Sequence, residues 1–207
     1  MKSHEYIVIC GMNRSWVGKT IGVVASIFSA VIIYLLFKIV EFLKLFNIDS
    51  AIPPSIFSLI SAGGLYIVIY AWFNSSLWKG KWIAKKLNVP DLSGEWEVSG
   101  QGHNLKGEVF DWCGEMRIHQ SWDRVHIRLD TRQSGSDSIA ASIIYDEGVG
   151  YRLVYNYRND PRIIEKEIHS HMGFAEFTFN EDLTNASGEY FNGRGRNTFG
   201  TMNIRRK

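Results

Sequence analysis

Two long stretches of this 207-residue chain carry no charged side chain: Thr20 to Phe37, eighteen residues, and Ala51 to Trp78, twenty-eight residues. A helix needs about twenty apolar residues to cross a bilayer core. The pattern therefore predicts a transmembrane hairpin of two helices, spanning about residues 19–40 and 52–76. Pro53 and Pro54 stand where the second helix begins, a position that tolerates the missing N–H of proline. Because a polar stretch of nineteen residues precedes the first run and no small-residue cleavage pattern follows it, the first helix reads as a retained anchor. Lys2, Arg14 and Lys19 precede the first run, and Lys79, Lys81, Lys85 and Lys86 follow the second. In the connection, Lys38 and Lys44 are offset by Glu41 and Asp49. This asymmetry predicts a multi-pass membrane protein with both termini cytoplasmic. Residues 1–18 form the cytoplasmic N-terminal segment of this reading, and 79–90 a basic juxtamembrane linker. Trp72, Trp78 and Trp82 sit where amphipathic rings meet lipid headgroups. Gly18, Gly22, Ser26 and Ala30 recur every fourth residue, a stripe that allows close helix approach. The stripe serves either the hairpin's own packing or association between protomers.

Charge divides the chain in the same place. Residues 1–90 hold nine Lys and Arg against three Asp and Glu, a net of +6, whereas residues 91–207 hold fourteen against eighteen, a net of −4. The distal half is a poor electrostatic match for a nucleic-acid polymer. The two cysteines, Cys10 and Cys113, give neither a disulfide framework nor zinc-site spacing.

From Asp91 onward the texture changes to short alternating runs broken by Gly, Asn and Asp, which predicts an all-β domain over 91–207. Eight strands are expected, near Leu92–Ser99, Trp112–Trp122, Val125–Arg132, Ser136–Tyr145, Tyr151–Asn159, Ile168–Phe179, Gly188–Asn192 and Phe199–Arg205. Eight short strands with tight turns fit a barrel or a sandwich, and the loops favour an antiparallel up-and-down, lipocalin-like β-barrel. Side chains alternate across a strand, so each run divides into two faces. The inferred inward face begins with Gly94, Trp96 and Val98; Ile118, Gln120 and Trp122; and Val125, Ile127, Leu129 and Thr131. It continues with Ser136, Ser138, Ala140 and Ser142, then Leu153, Tyr155, Tyr157 and Asn159. His169, His171, Gly173, Ala175 and Phe177 follow, and Tyr190 and Asn192 complete it, with Arg194 in the same parity.

A packing core does not choose so many hydroxyls, amides and imidazoles, because a buried polar group without a partner costs about 1–3 kcal/mol. A polar cavity accounts for them, and an eight-stranded barrel is wide enough to enclose one small ligand. Small Ser and Ala leave room, tyrosines offer stacking faces, and an Arg fork suits phosphate. His169 and His171 lack a third or fourth metal ligand at credible spacing, so no metal site is expected. No GxSxG, P-loop or HExxH pattern is present, and no carboxylate pair falls on the inward face. No catalytic residue is therefore assigned, and the chain reads as a non-enzyme. Thr131, Ser134, Ser136 and Ser138 have an alternative role as turn and strand-end chemistry.

With those residues in view, the chain resembles the bacterial CBASS membrane effectors, which join two transmembrane helices to a cyclic-nucleotide-binding β-barrel. The likeness rests on Leu92-Ser93-Gly94-Glu95-Trp96, on Gln120-Ser121-Trp122, and on Thr131 with Ser134, Ser136 and Ser138. It extends through Leu153, Tyr155, Tyr157, Asn159 and Pro161, His171 with Gly173, and Gly188 with Tyr190 and Arg194. The resemblance implies that a neighbouring nucleotidyltransferase makes a 3′,3′-cyclic dinucleotide during phage infection. The barrel binds it, the effector oligomerises, and the inner membrane is disrupted in an abortive infection. The implied ligand-binding set is Gln120, Trp122, Thr131, Ser134, Ser136, Ser138, Tyr155, Tyr157, Asn159, His171, Tyr190 and Arg194, with Gly18, Gly22, Ser26 and Ala30 as the oligomerisation stripe. Membrane lipids are the other partner, and no cofactor is implied. The same strands also allow a membrane-anchored carrier or sensor of a small apolar ligand.

Overall fold

The computed structural model describes residues 3–46, 53–163, 169–193 and 196–207. The chain divides into two compact units, one made of residues 12–78 and the other of residues 1–11 with 79–207.

The first unit is helical. Helix α1 (Arg14–Lys44) starts at Asn13, whose side chain accepts a hydrogen bond from the Ser15 N–H at 2.8 Å. Among the described residues α1 is the one helix long and apolar enough to cross a membrane. The second uncharged run is not a single helix. It forms α2 (Pro54–Leu59) and α3 (Ala62–Ser75), separated at Ile60 and Ser61. Two local causes produce this break. The Ser61 hydroxyl accepts from the Gly64 N–H at 3.2 Å and so caps a new helix start. The Leu59 carbonyl then lies where any side chain at Gly64 would stand. The carbonyl of Ile60 is satisfied from α1, by the Ser29 hydroxyl at 2.7 Å, which meets the demand that a backbone group within an apolar layer find an internal partner. Gly18 lies beside Tyr66, Ser29 beside Ile60 and Phe37 beside Phe57, so the two limbs run antiparallel.

The small-residue stripe is displaced by one position from the face that α1 buries. Val17, Ile21, Ala25 and Ser29 are the buried residues of α1. Ser26 and Ala30 are exposed, and a Cβ added at Gly22 would meet nothing within 4 Å. The packing of α1 against α2 and α3 therefore does not use Gly22, Ser26 and Ala30.

The second unit is a closed barrel. Its strands are β1 (His4–Ile9), β2 (Gly94–His103), β3 (Val109–Gln120), β4 (Arg124–Thr131), β5 (Ser134–Asp146), β6 (Gly150–Pro161), β7 (His171–Phe179), β8 (Asn185–Asn192) and β9 (Phe199–Arg206). From β2 to β9 each strand pairs antiparallel with the next, and β9 closes on β2. All eight expected strands have a counterpart, the sixth being β7, which begins at His171, while Ile168 of its expected range lies outside the described residues. The ninth, β1, is an addition from a segment to which the sequence reading assigned no strand. Strands β4 and β5 pair over only three registers, from Arg128↔Asp137 to Asp130↔Gly135. Beyond them β1 fills the gap, antiparallel to β4 at His4↔Val125 and parallel to β5 from Tyr6↔Ala141 to Ile9↔Ile144. Among the described residues the barrel is thus nine-stranded, with one parallel pair. The juxtamembrane segment is also structured, as α4 (Lys81–Leu87) ending on Asn88. The Asn88 amide donates to the Cys10 carbonyl at 3.1 Å and accepts from the Tyr151 hydroxyl at 2.7 Å, which ties the end of β1 to the strand that follows β5.

Burial follows the alternation in β2, β3, β6 and β7, where Trp96, Val98, Ile118, Leu153, Tyr155, Ala175 and Phe177 are all buried, whereas in β4 Val125, His126 and Ile127 are buried in succession. In β5 the pattern fails. A bulge between Ser138 and Ala140 shifts the register, so the inward sequence runs Ser134, Ser136, Ser138 and then Ala141 and Ile143. Ala140 is therefore exposed, not inward, and Ser142 leaves the inward row with it.

Candidate functional site

The two ends of the barrel interior differ. At one end Leu92, Trp96, Phe179 and Tyr6 are buried together in the core, with the Trp96 ring edge-on to Phe179 at 5.6 Å. The Trp96 indole N–H donates to the Leu92 carbonyl at 3.2 Å, and the Arg206 guanidinium lies over the indole at 5.2 Å. Gln120 belongs to this plug. Its Oε1 accepts from the Leu92 N–H at 2.8 Å, and its Nε2 donates to the Tyr6 hydroxyl at 3.1 Å and to the Pro90 carbonyl at 3.0 Å.

At the other end the interior opens as a cavity of about 970 Å³. That volume lies at the upper end of the range for small-molecule sites. One part of the wall is aromatic: Phe110 and Trp112 on β3, Tyr155 and Tyr157 on β6, and Tyr190 on β8. Trp112 and Tyr190 meet edge to face at 5.6 Å, and the Trp112 indole N–H donates to the Tyr190 hydroxyl at 3.0 Å. The Tyr157 ring lies over Gly173 of β7 where any side chain would collide with it, so glycine at that position gives the ring its seat. Another part of the wall is polar, with Thr131, Ser134, Ser136, Asn159, His171, Asn192, Arg196 and Thr198, and Leu129 and Met202 add apolar surface. The Tyr157 hydroxyl donates to Asn192 Oδ1 at 2.9 Å, and Asn192 Nδ2 donates to Thr198 at 2.8 Å.

The cavity lining combines phenols and an imidazole with two arginines, Arg132 and Arg196, and one carboxylate, Asp111. Burial pushes the Tyr155 and Tyr157 phenols far above their ordinary range, so both remain hydrogen-bond donors. Burial also lowers the His171 pKa, and the Arg196 charge acts in the same direction, against the His169 carbonyl and Asn192. Arg196 itself has no ion-pair partner among the described residues. Arg132 is exposed at the β4–β5 turn and also lines the opening.

Eight of the twelve residues expected to bind ligand line this cavity: Thr131, Ser134, Ser136, Tyr155, Tyr157, Asn159, His171 and Tyr190. Thr131 also clamps the turn, accepting from the Ser134 N–H and donating to the Ser134 carbonyl, both at 3.1 Å. Gln120 belongs to the opposite end, where its hydrogen bonds are filled. Trp122 is buried but is not among the cavity residues. Ser138 sits at the bulge, accepting from the Ile127 N–H at 2.9 Å and bonding the His4 imidazole at 2.7 Å. Arg194 lies outside the described residues. Sequence reasoning passed over Trp112, which its alternation signal could have found, and Arg196, which lies in a connection where strand parity does not apply.

A second concavity of about 960 Å³ lies on strands β2, β3, β7, β8 and β9. Its charges are paired, Arg205 with Glu97 and Lys207 with Glu115, both at 2.6 Å. Among the described residues no group of three or more His, Cys, Asp or Glu could hold a metal ion.

Comparison with protein-family models matches residues 87–206 to the cyclic dinucleotide receptor domain of Cap15 and residues 15–79 to the Cap15 TM helices. Among curated proteins, CD-NTase-associated protein 15 of Yersinia aleksiciae is 54% identical over 206 residues, which cover 100% of this chain and 98% of that protein. The two matches divide the chain where charge and hydropathy divide it, and the receptor-domain match contains every described residue of the cavity. The chain belongs to the Cap15 family.

Proposed function

We propose that this protein is a CBASS antiphage effector whose barrel is a receptor for a 3′,3′-cyclic dinucleotide made by a partner nucleotidyltransferase. The observation that carries the reading is the open cavity, in which stackable aromatic rings, free polar groups and an unpaired arginine converge. Bases stack on aromatic faces, with each base–aromatic stack worth about 1–3 kcal/mol, and guanidinium groups pair with phosphate. Thr131, Ser134, Ser136, Tyr155, Tyr157, His171 and Tyr190 form the walls of the site in this reading, with Arg196 as its cation. It acts by binding and not by catalysis.

The helical unit is the output. Helix α1 crosses the inner membrane once, α2 and α3 together make the return crossing, and both termini lie in the cytoplasm, where the nucleotide is made. Ligand binding promotes homo-oligomerisation, the assembled helices disrupt the membrane, and the infected cell dies. The face of α1 carrying Gly22, Ser26 and Ala30 supports this, because small residues left unused by the hairpin allow a second copy to approach closely.

Calorimetric titration of the full-length chain in lipid nanodiscs against 3′,3′- and 2′,3′-linked cyclic dinucleotides tests the reading. Saturable binding of a 3′,3′-linked member is expected. Binding of none, together with copurified lipid that Arg196→Ala does not release, would instead support a carrier of an apolar ligand. The full chain is the right material, because a fragment starting at Asp91 lacks β1.

A further inference from the structure

One buried polar side chain of the cavity wall, Asn159, is incompletely hydrogen-bonded. Asn159 is only 7% exposed, and its Nδ2 has no partner. Folded interiors rarely leave a buried amide donor unmatched, because the group has given up water without gaining a replacement. The surroundings make the vacancy specific. Asn159 of β6 pairs across the sheet with Ser136 of β5 on one side and His171 of β7 on the other. The Ser136 hydroxyl has no protein hydrogen bond among the described residues, and His171 is anchored through Nδ1 to the His169 carbonyl at 2.8 Å. An amide between a hydroxyl and a neutral imidazole presents donors and acceptors without net charge. That is the chemistry of a base edge, whereas phosphate is served by the arginine at the opening.

Position along the strand supports the same partner. Tyr157 lies two residues before Asn159 on the same face, and two residues of a strand advance about 6.6 Å. A base stacked on the Tyr157 ring would extend its hydrogen-bonding edge toward Asn159.

We propose that Asn159 is the base-reading residue of the cavity, its amide hydrogen-bonding the edge of one base of the cyclic dinucleotide with the Ser136 hydroxyl beside it. The proposal rests on the cavity being the nucleotide site, and it adds the residue by which that site tells one nucleotide from another.

The test is titration of the full-length wild-type chain, Asn159→Leu and Asn159→Asp in nanodiscs with the 3′,3′-linked forms of cyclic di-AMP, cyclic di-GMP, cyclic di-UMP and cyclic UMP–AMP. Thermal melting of each protein without nucleotide is measured alongside. Wild type is expected to rank these ligands. Asn159→Leu is expected to lose 10- to 100-fold in affinity for the preferred one and little for the poorest, which flattens the ranking. Its melting temperature should be unchanged or raised, since an apolar isostere removes an unsatisfied donor and leaves no other group stranded. Asn159→Asp, which accepts but no longer donates, should move preference toward bases with an exocyclic amino group. The proposal is overturned by a wild type that binds all four equally, by an Asn159→Leu variant that keeps the wild-type ranking, or by an equal loss across all four ligands. A lowered melting point with unchanged ranking would make Asn159 structural. A wild type that binds none of the four overturns the nucleotide reading beneath the proposal.

Discussion

Gln120 at the closed end of the barrel and Asn159 at the open end are both inward-facing amides, each less than one-tenth exposed. Gln120 makes hydrogen bonds to Leu92, Tyr6 and Pro90, while Asn159 retains an unmatched nitrogen beside Ser136 and His171. The first arrangement closes a structure, and the second leaves one ready for something else. Strand parity identifies which residues face inward, but only the satisfaction of their polar atoms separates a plug from a site.

Replacing Gln120 by Leu should have the largest effect on stability. It strands the buried Leu92 N–H and the Pro90 carbonyl, and it removes a donor to Tyr6, at a cost of about 2–4 kcal/mol. Chemical denaturation of the detergent-solubilised chain would measure this, and nucleotide affinity below the transition should stay within about twofold of wild type. Arg196→Ala should behave in the opposite way. Its guanidinium makes no hydrogen bond or ion pair among the described residues, so stability should change by no more than about 0.5 kcal/mol. Nucleotide affinity, by contrast, should fall about 10- to 100-fold, with a weaker dependence on salt. Equal and small effects of both substitutions on binding would remove the distinction between the ends.

The smallest effect concerns pH. Burial holds the His171 imidazole below its ordinary value of 6.5. As the pH falls below that value the unfolded chain takes up a proton that the folded chain does not, and stability declines. The contribution is complete above about pH 6.5 and is lost on acidification, by no more than about 1.4 kcal/mol per pH unit. His171→Gln should remove this slope between pH 6.5 and the carboxylate range, as read from denaturation curves at stepped pH. An unchanged slope would assign the acid sensitivity elsewhere.

The same contrast explains what could be read before the structure. Uncharged run lengths mark the helical unit, and alternation in β2, β4 and β6 places Trp96, Val98, Val125, Ile127, Leu153 and Tyr155 inward, because both signals are local and periodic. Strand β1 escapes such reading: Tyr6 is its one buried residue, while Ile7 and Ile9 face outward at 67% and 46% exposure. Its pattern therefore carries no amphipathic signal. The bulge near Ile139 changes the inward face of β5 with no Gly or Pro to mark it. The roles of Gln120 and Asn159 are equally hidden, since the groups that satisfy Gln120 lie 28, 30 and 114 residues away in sequence. Likewise, the choice between Arg194 and Arg196 as a cavity cation depends on the path of a connection whose residues have no strand period.

The most direct test of the receptor assignment is an experimental structure of the full-length chain bound to the 3′,3′-cyclic dinucleotide that titration selects. The nucleotide should occupy the open cavity, with a base against the Tyr157 ring and a phosphate within hydrogen-bonding distance of Arg196. A nucleotide bound instead in the second concavity, which Glu97 and Arg205 help to line, with the cavity unchanged, would contradict the assignment.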